Sequence, residues 1–137
     1  MFHHFGTAGR GQVIFANKKN VNFIQVGAND GVNADFLRVR ALEYGWSGIL
    51  IEPHPVYFNL AKIAYGNSPL FAWERVAISN TLTTATLYYF ADVPPELPWI
   101  RGIASFNRDH IVKHLPYIIV NGVNIGKEEM IHTIEVD

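Results

Sequence analysis

The chain contains no cysteine. That excludes a disulfide framework and a thiolate metal site. Charge is scarce: 17% of the residues are charged, with 12 acidic against 11 basic side chains and a formal net charge of −1. A balance this close to neutral provides no basic field for a nucleic-acid partner. The apolar runs are no longer than a strand, so no segment is expected to span a bilayer. Met1-Phe2-His3-His4-Phe5 lacks the charged region and apolar core of a secretory signal. A cytoplasmic protein without membrane or nucleic-acid partners is therefore expected. There is no internal repeat and no low-complexity segment. What the chain does have is apolar mass: 49% of its 137 residues are hydrophobic and 13% aromatic, which suits one packed domain.

Residues 1–20 read as a lead-in, with Gly6, Gly9 and Gly11 followed by Gln12-Val13-Ile14-Phe15 as a short strand or helix. Val21 to Val26 is a β-rich run that stops at Gly27. Ala34, Leu37, Ala41 and Tyr44 then recur at helical spacing, and Gly45 follows as a C-terminal cap. Ser47 to Ile51 is a continuous apolar run of the kind buried in a parallel sheet. Pro55 sits where the first turn of a helix tolerates proline, Val56, Leu60, Ile63 and Ala64 form the expected apolar face, and Gly66 ends it. Leu70 to Ile78 reads as a third strand. Residues 21–80 are thus expected to form a β-α-β-α-β unit with right-handed crossovers, in spatial strand order 3-2-1. In residues 81–137 the expected pieces are a strand over Thr84–Phe90, a proline-rich loop, a helix from Phe106 to His114 capped by Ser105, a loop over 121–130, and a final strand over Ile131–Asp137.

The sharpest chemical signal is the turn between the first strand and first helix. Ligands in such sheets sit at the carboxyl ends of the strands. Gly27 lets the backbone turn, and Gly31 permits a close approach. Glu52 ends the second strand 21 positions after Gly31, where a carboxylate can accept both hydroxyls of a ribose. A dinucleotide loop is spaced G-x-G-x-x-G so that a pyrophosphate rests on backbone N–H groups. Here the spacing is G-x-x-x-G, with Asn29 and Asp30 inside it, and Asp30 would repel a diphosphate. S-adenosylmethionine has no phosphate, and its sulfonium and ammonium suit an acidic, amide-rich loop. A P-loop is excluded because no Gly-Lys-Ser/Thr follows. Spacing alone also fits α/β domains that bind another ligand or none.

The string Phe23-Ile24-Gln25-Val26-Gly27-Ala28-Asn29-Asp30-Gly31 resembles the opening motif of the FkbM-type methyltransferases. So do Gly48-Ile49-Leu50-Ile51-Glu52-Pro53-His54-Pro55 with Phe58 and Leu60, Glu74-Arg75-Val76-Ala77-Ile78-Ser79, and Arg101-Gly102-Ile103-Ala104-Ser105-Phe106-Asn107. The resemblance implies an α/β, Rossmann-like S-adenosylmethionine-dependent methyltransferase fold with α/β/α layers. It implies methyl transfer to a hydroxyl of a sugar or natural product. Carried onto this chain, Gly27, Ala28, Asn29, Asp30 and Gly31 line the methionine end of the cofactor. Glu52 holds the ribose, and Glu74 to Ala77 border the adenine. Gln25 stands where many members carry an acid, and its amide suits the same site. The family pattern continues beyond Asp137, so the chain reads as the cofactor-binding N-terminal part of one incomplete domain. It is expected to be a poor catalyst alone, and to self-associate through the unpaired side of the first strand. A small-molecule or glycan acceptor is the expected partner.

The alternative is a Rossmann-like remnant that binds or interacts without chemistry. A nicotinamide-dependent enzyme is a weaker third reading, disfavoured by the loop. His110 and His114 have a spacing that can bind metal on a helix, yet no third ligand is evident, and a solvated helix face is the expected role. Tyr88, Tyr89, Phe90 and Trp99 are candidates for a substrate pocket, with strand core as the plainer role. Arg101 and Arg108 are candidates for an acidic substrate or, more simply, solvated surface. No residue pattern identifies a catalytic base.

Overall fold

The computed structural model describes residues 19–33, 35–80 and 83–137. The expected strand or helix at Gln12–Phe15, and Ala34 at the head of the first helix, lie outside the described residues. The chain divides into two compact units, Met1–Ser79 and Asn80–Asp137.

In the first unit, β1 (Asn22–Val26), β2 (Ser47–Ile51) and β3 (Phe71–Glu74) form a parallel sheet in the order β1-β2-β3. The helices α1 (Phe36–Tyr44) and α2 (Pro55–Tyr65) are the crossovers. Asp35 caps α1 by accepting from the N–H groups of Leu37 and Arg38, and Gly45 closes it in the left-handed conformation. Pro55 opens α2 and Gly66 follows its end. The register aligns Gln25 with Leu50 and Leu50 with Trp73, so these three share one face of the sheet with Phe23, Gly48 and Phe71. Ala41 of α1 and Ala61 and Tyr65 of α2 pack with Phe23, Leu50 and Phe71 in a single core cluster. Both helices therefore cover the same face, as two crossovers of one hand must. Gly48 is part of this arrangement: a Cβ there would lie 2.6–2.7 Å from the Phe23 carbonyl oxygen and ring.

Among the described residues the two helices cover one face of the sheet, and Ile24, Val26 and Ile49 on the second face are exposed. Two expectations fail in this unit. The third strand ends at Glu74, and Val76 to Ile78 continue without a strand partner. On α2 the buried row is Tyr57, Ala61 and Tyr65, whereas Val56, Leu60 and Ile63 are exposed. Both rows have helical spacing. The small residue at 61 wins because the loop after β1 lies against it, while the Tyr65 ring closes on Phe71 and Trp73 and the Tyr57 ring stacks on His54.

In the second unit, β4 (Ala85–Phe90) is flanked by β5 (Ala104–Ser105) and β8 (Ile131–Val136), both antiparallel to it. Phe90, Ile100, Ile111 and Ile118 form its core. The helix α3 spans only Arg108–Val112 and is capped by Asn107 rather than Ser105. Ser105 instead belongs to β5, and its hydroxyl accepts from the N–H of Asn107. The expected loop over 121–130 contains strand β7 (Val123–Asn124), paired in a hairpin with β6 (Ile119–Val120), and a short 3-10 turn at Glu128–Met130.

Candidate functional site

The candidate site is built from the ends of β1, β2 and β3 in the first unit. After Val26 the chain folds over the end of β2, where the N–H groups of Gly27 and Ala28 both donate to the Ile51 carbonyl, at 2.9 and 3.1 Å. Gly27, Asn29 and Gly31 all have positive φ, at 77°, 49° and 71°. That alternation coils the loop tightly and explains why two of the three positions are glycine. A Cβ on Gly27 would meet nothing within 4 Å, so the space beside it is open. A Cβ on Gly31 would lie 2.9 Å from the Ala61 Cα. One glycine thus borders open space and the other seats the loop on α2.

Glu52 is buried beneath this loop. One carboxylate oxygen accepts from the Asn29 N–H at 2.8 Å, and the other accepts from the His54 N–H at 2.9 Å. Its own N–H donates to the Glu74 carbonyl at 3.1 Å. Glu52 therefore fastens together the turns that follow β1 and β2, with its backbone tied to the end of β3. Each oxygen retains a second acceptor direction. Asp30 is also buried, and it organises the loop from within: its carboxylate accepts from the N–H groups of Val32 and Asn33 and from the Asn33 amide. The Asn29 side chain accepts from the Asp30 N–H at 2.7 Å. The Ala28 side chain is part of the core. Gln25 lies on the helix-covered face, beside the Tyr65 hydroxyl of α2. Glu74 is exposed at the end of β3, and Ala77 is half-buried in the run after it.

Burial raises the pKa of Glu52, against the opposing effect of the His54 and Asn29 N–H groups. Burial lowers that of His54, which stacks on the Tyr57 ring at 4.4 Å. Burial also raises Tyr65, helped by the neighbouring Asp35 charge. The first two act on stability with opposite sign. A free glutamate titrates near 4.5, and the folded state holds the Glu52 proton to higher pH. Its contribution is thus fully present below 4.5 and is lost as pH rises through the raised value. A free histidine titrates near 6.5, and folded His54 resists protonation. Its contribution is present above 6.5 and is lost as pH falls through the lowered value. Urea midpoints between about pH 4 and 8 should separate them: Glu52→Gln removes the decline above 4.5, and His54→Phe removes the loss below 6.5.

The structure brings Gln25, the Gly27–Gly31 loop, Glu52 and Glu74 to the same end of one sheet. It adds two residues that the sequence reading passed over. Asp35 was detectable as an acid just before a helical run. Tyr65 had no local signal. In the second unit, His110 and His114 face each other with ring centroids 5.5 Å apart. Among the described residues no group of three or more His, Cys, Asp or Glu side chains is placed to hold a metal. Arg108 is paired with Glu128, so its charge is already engaged. Tyr88 packs against the second core, Phe90 is within it, and Trp99 is 44% exposed. No helix among the described residues is long and apolar enough to cross a membrane.

The family profile described as the methyltransferase FkbM domain matches residues 25–125. Comparison with curated proteins and with solved structures returned no match to either.

Proposed function

Because the chain belongs to the FkbM methyltransferase family, we propose that its first unit binds S-adenosylmethionine and that the protein methylates a hydroxyl of a sugar or other small acceptor. The observation that carries this reading is the loop itself. It has left-handed backbone at 27, 29 and 31, open space beside Gly27, and the Glu52 carboxylate directly beneath.

The residues present fit this cofactor chemically. Gln25 to Asn33 include one acidic side chain and no basic one, which favours a cationic ligand over a phosphate. The remaining acceptor directions of Glu52 suit vicinal ribose hydroxyls. Gly27 to Gly31 are the proposed lining for the methionine end. Glu74 and Ala77, following β3, are the proposed border of the adenine. S-adenosylmethionine supplies an electrophilic methyl group on sulfonium. The part left to the protein is to align an acceptor oxygen and exclude water. Asp30 is committed to shaping the loop through its own hydrogen bonds, so its contribution to a bound cation is long-range.

Calorimetry with S-adenosylmethionine and NAD on the same sample tests the reading. Saturable heat with S-adenosylmethionine and none with NAD is expected. Binding of NAD, or of neither, would favour one of the competing readings.

A further inference from the structure

The loop after β1 is gripped by the last turns of α2. Ala61, fully buried, lies against Gly31. The Ala64 carbonyl accepts from Arg38 Nη1 of α1 at 3.4 Å. The Tyr65 hydroxyl lies 3.0 Å from the Gln25 amide oxygen and 2.8 Å from Asp35 Oδ2. Gln25 is two residues before Gly27. Asp35 is the residue from which α1 starts, and its other oxygen accepts from the Leu37 and Arg38 N–H groups. One buried hydroxyl thus touches the strand that enters the loop and the cap of the helix that leaves it.

The hydroxyl has one proton for two neighbours. The carboxylate is the stronger acceptor and the nearer, so the proton belongs to Asp35. A Gln25 amide turned to present its nitrogen then donates to the Tyr65 oxygen. In that arrangement the chain from Gln25 through Tyr65 to the cap of α1 is satisfied without a second charge. Glu52 holds the middle of the loop through Asn29, and Tyr65 holds its two ends.

We infer that Tyr65 is a positioning residue for the cofactor loop: its hydroxyl fixes the separation between the end of β1 and the start of α1. The inference rests on the proposed function for its ligand but not for its geometry. The Tyr65→Phe variant keeps the ring and loses the link. Trp46→Phe serves as a control, because Trp46 is buried at the start of β2, at the other end of the sheet.

Two readouts are required. Amide hydrogen exchange over residues 29–38 should accelerate at least tenfold in Tyr65→Phe, while β2 and β3 amides keep their rates. Affinity for S-adenosylmethionine should fall at least fivefold. Trp46→Phe should lower the melting temperature and leave both readouts within twofold. If Tyr65→Phe does not fold, Asp35→Asn decides, since asparagine still caps the helix but is a weaker partner for the hydroxyl. It should then accelerate exchange in the same residues. Unchanged exchange there in the folded variant, or equal acceleration in the control, overturns the inference. If the unmutated protein does not bind S-adenosylmethionine, the functional reading fails while the exchange result still judges Tyr65.

Discussion

Gly31→Ala is expected to destabilise the first unit by about 2–5 kcal/mol. Two costs add. An L side chain at φ 71° carries the left-handed penalty of roughly 1–2 kcal/mol. The new methyl would lie 2.9 Å from the Ala61 Cα, and forcing extra volume into a packed contact costs roughly 1–3 kcal/mol. The backbone of α2 cannot yield as a flexible side chain would. Gly27→Ala isolates the first cost, because it has similar φ but open space around the added methyl. It should lose only about 1–2 kcal/mol. Urea unfolding of the two variants side by side measures the difference. Equal losses would mean that the seat on α2 is not what makes glycine necessary at 31.

Glu52→Ala should be nearly as damaging, for an electrostatic reason. The carboxylate is the acceptor for the Asn29 and His54 N–H groups. Leaving the buried His54 donor unsatisfied costs roughly 1–3 kcal/mol, and the part-buried Asn29 donor adds a smaller loss. Removing a charge that burial already disfavours returns part of that. The expected net loss is about 1–4 kcal/mol. On the proposed reading, in which Glu52 holds the ribose, affinity for S-adenosylmethionine in a folded sample should fall more than tenfold, since charge-assisted hydrogen bonds of that kind are worth roughly 1.5–3 kcal/mol. Glu52→Gln separates the two effects: it has the same shape, but its amide nitrogen must face one of two N–H donors. Denaturant midpoints and calorimetry on both variants provide the check. A folded Glu52→Gln protein with undiminished affinity would remove this carboxylate from the ribose and leave it a purely structural clamp.

Much of the first unit was legible because its signals are local. Gly45, Pro55 and Gly66 mark helix ends by backbone chemistry that needs no tertiary partner. Gly27, Gly31 and Glu52 were legible as a group because a parallel sheet brings the ends of successive strands together. The inward face of α2 was not. Val56, Leu60 and Ile63 are the more hydrophobic row, but the helix turns Ala61 inward against Gly31, a contact 30 residues apart in sequence. The role of Tyr65 was hidden for the same reason, since its partners Gln25 and Asp35 are 40 and 30 residues away. In the second unit, the pairing of β4 with β8 joins segments separated by a long connection, which periodicity alone cannot reveal. Ser105 was expected as the cap of the helix, but it is paired in β5, and Asn107, an equally strong capping residue, takes the position instead.

The placement of the three tryptophans gives the two units separate optical reporters. Trp46 is buried beside Tyr44, and Trp73 meets the rings of Tyr65 and Phe58 edge-on, all within the first unit. Trp99 belongs to the second unit, nearly half exposed, with the His114 ring 6.3 Å away. Short-wavelength emission therefore follows the first unit and long-wavelength emission the second. A Trp99→Phe protein silences the second unit, and a protein keeping only Trp99 silences the first. Melting curves that coincide for the two would make the chain one cooperative body, and curves that part would make it two.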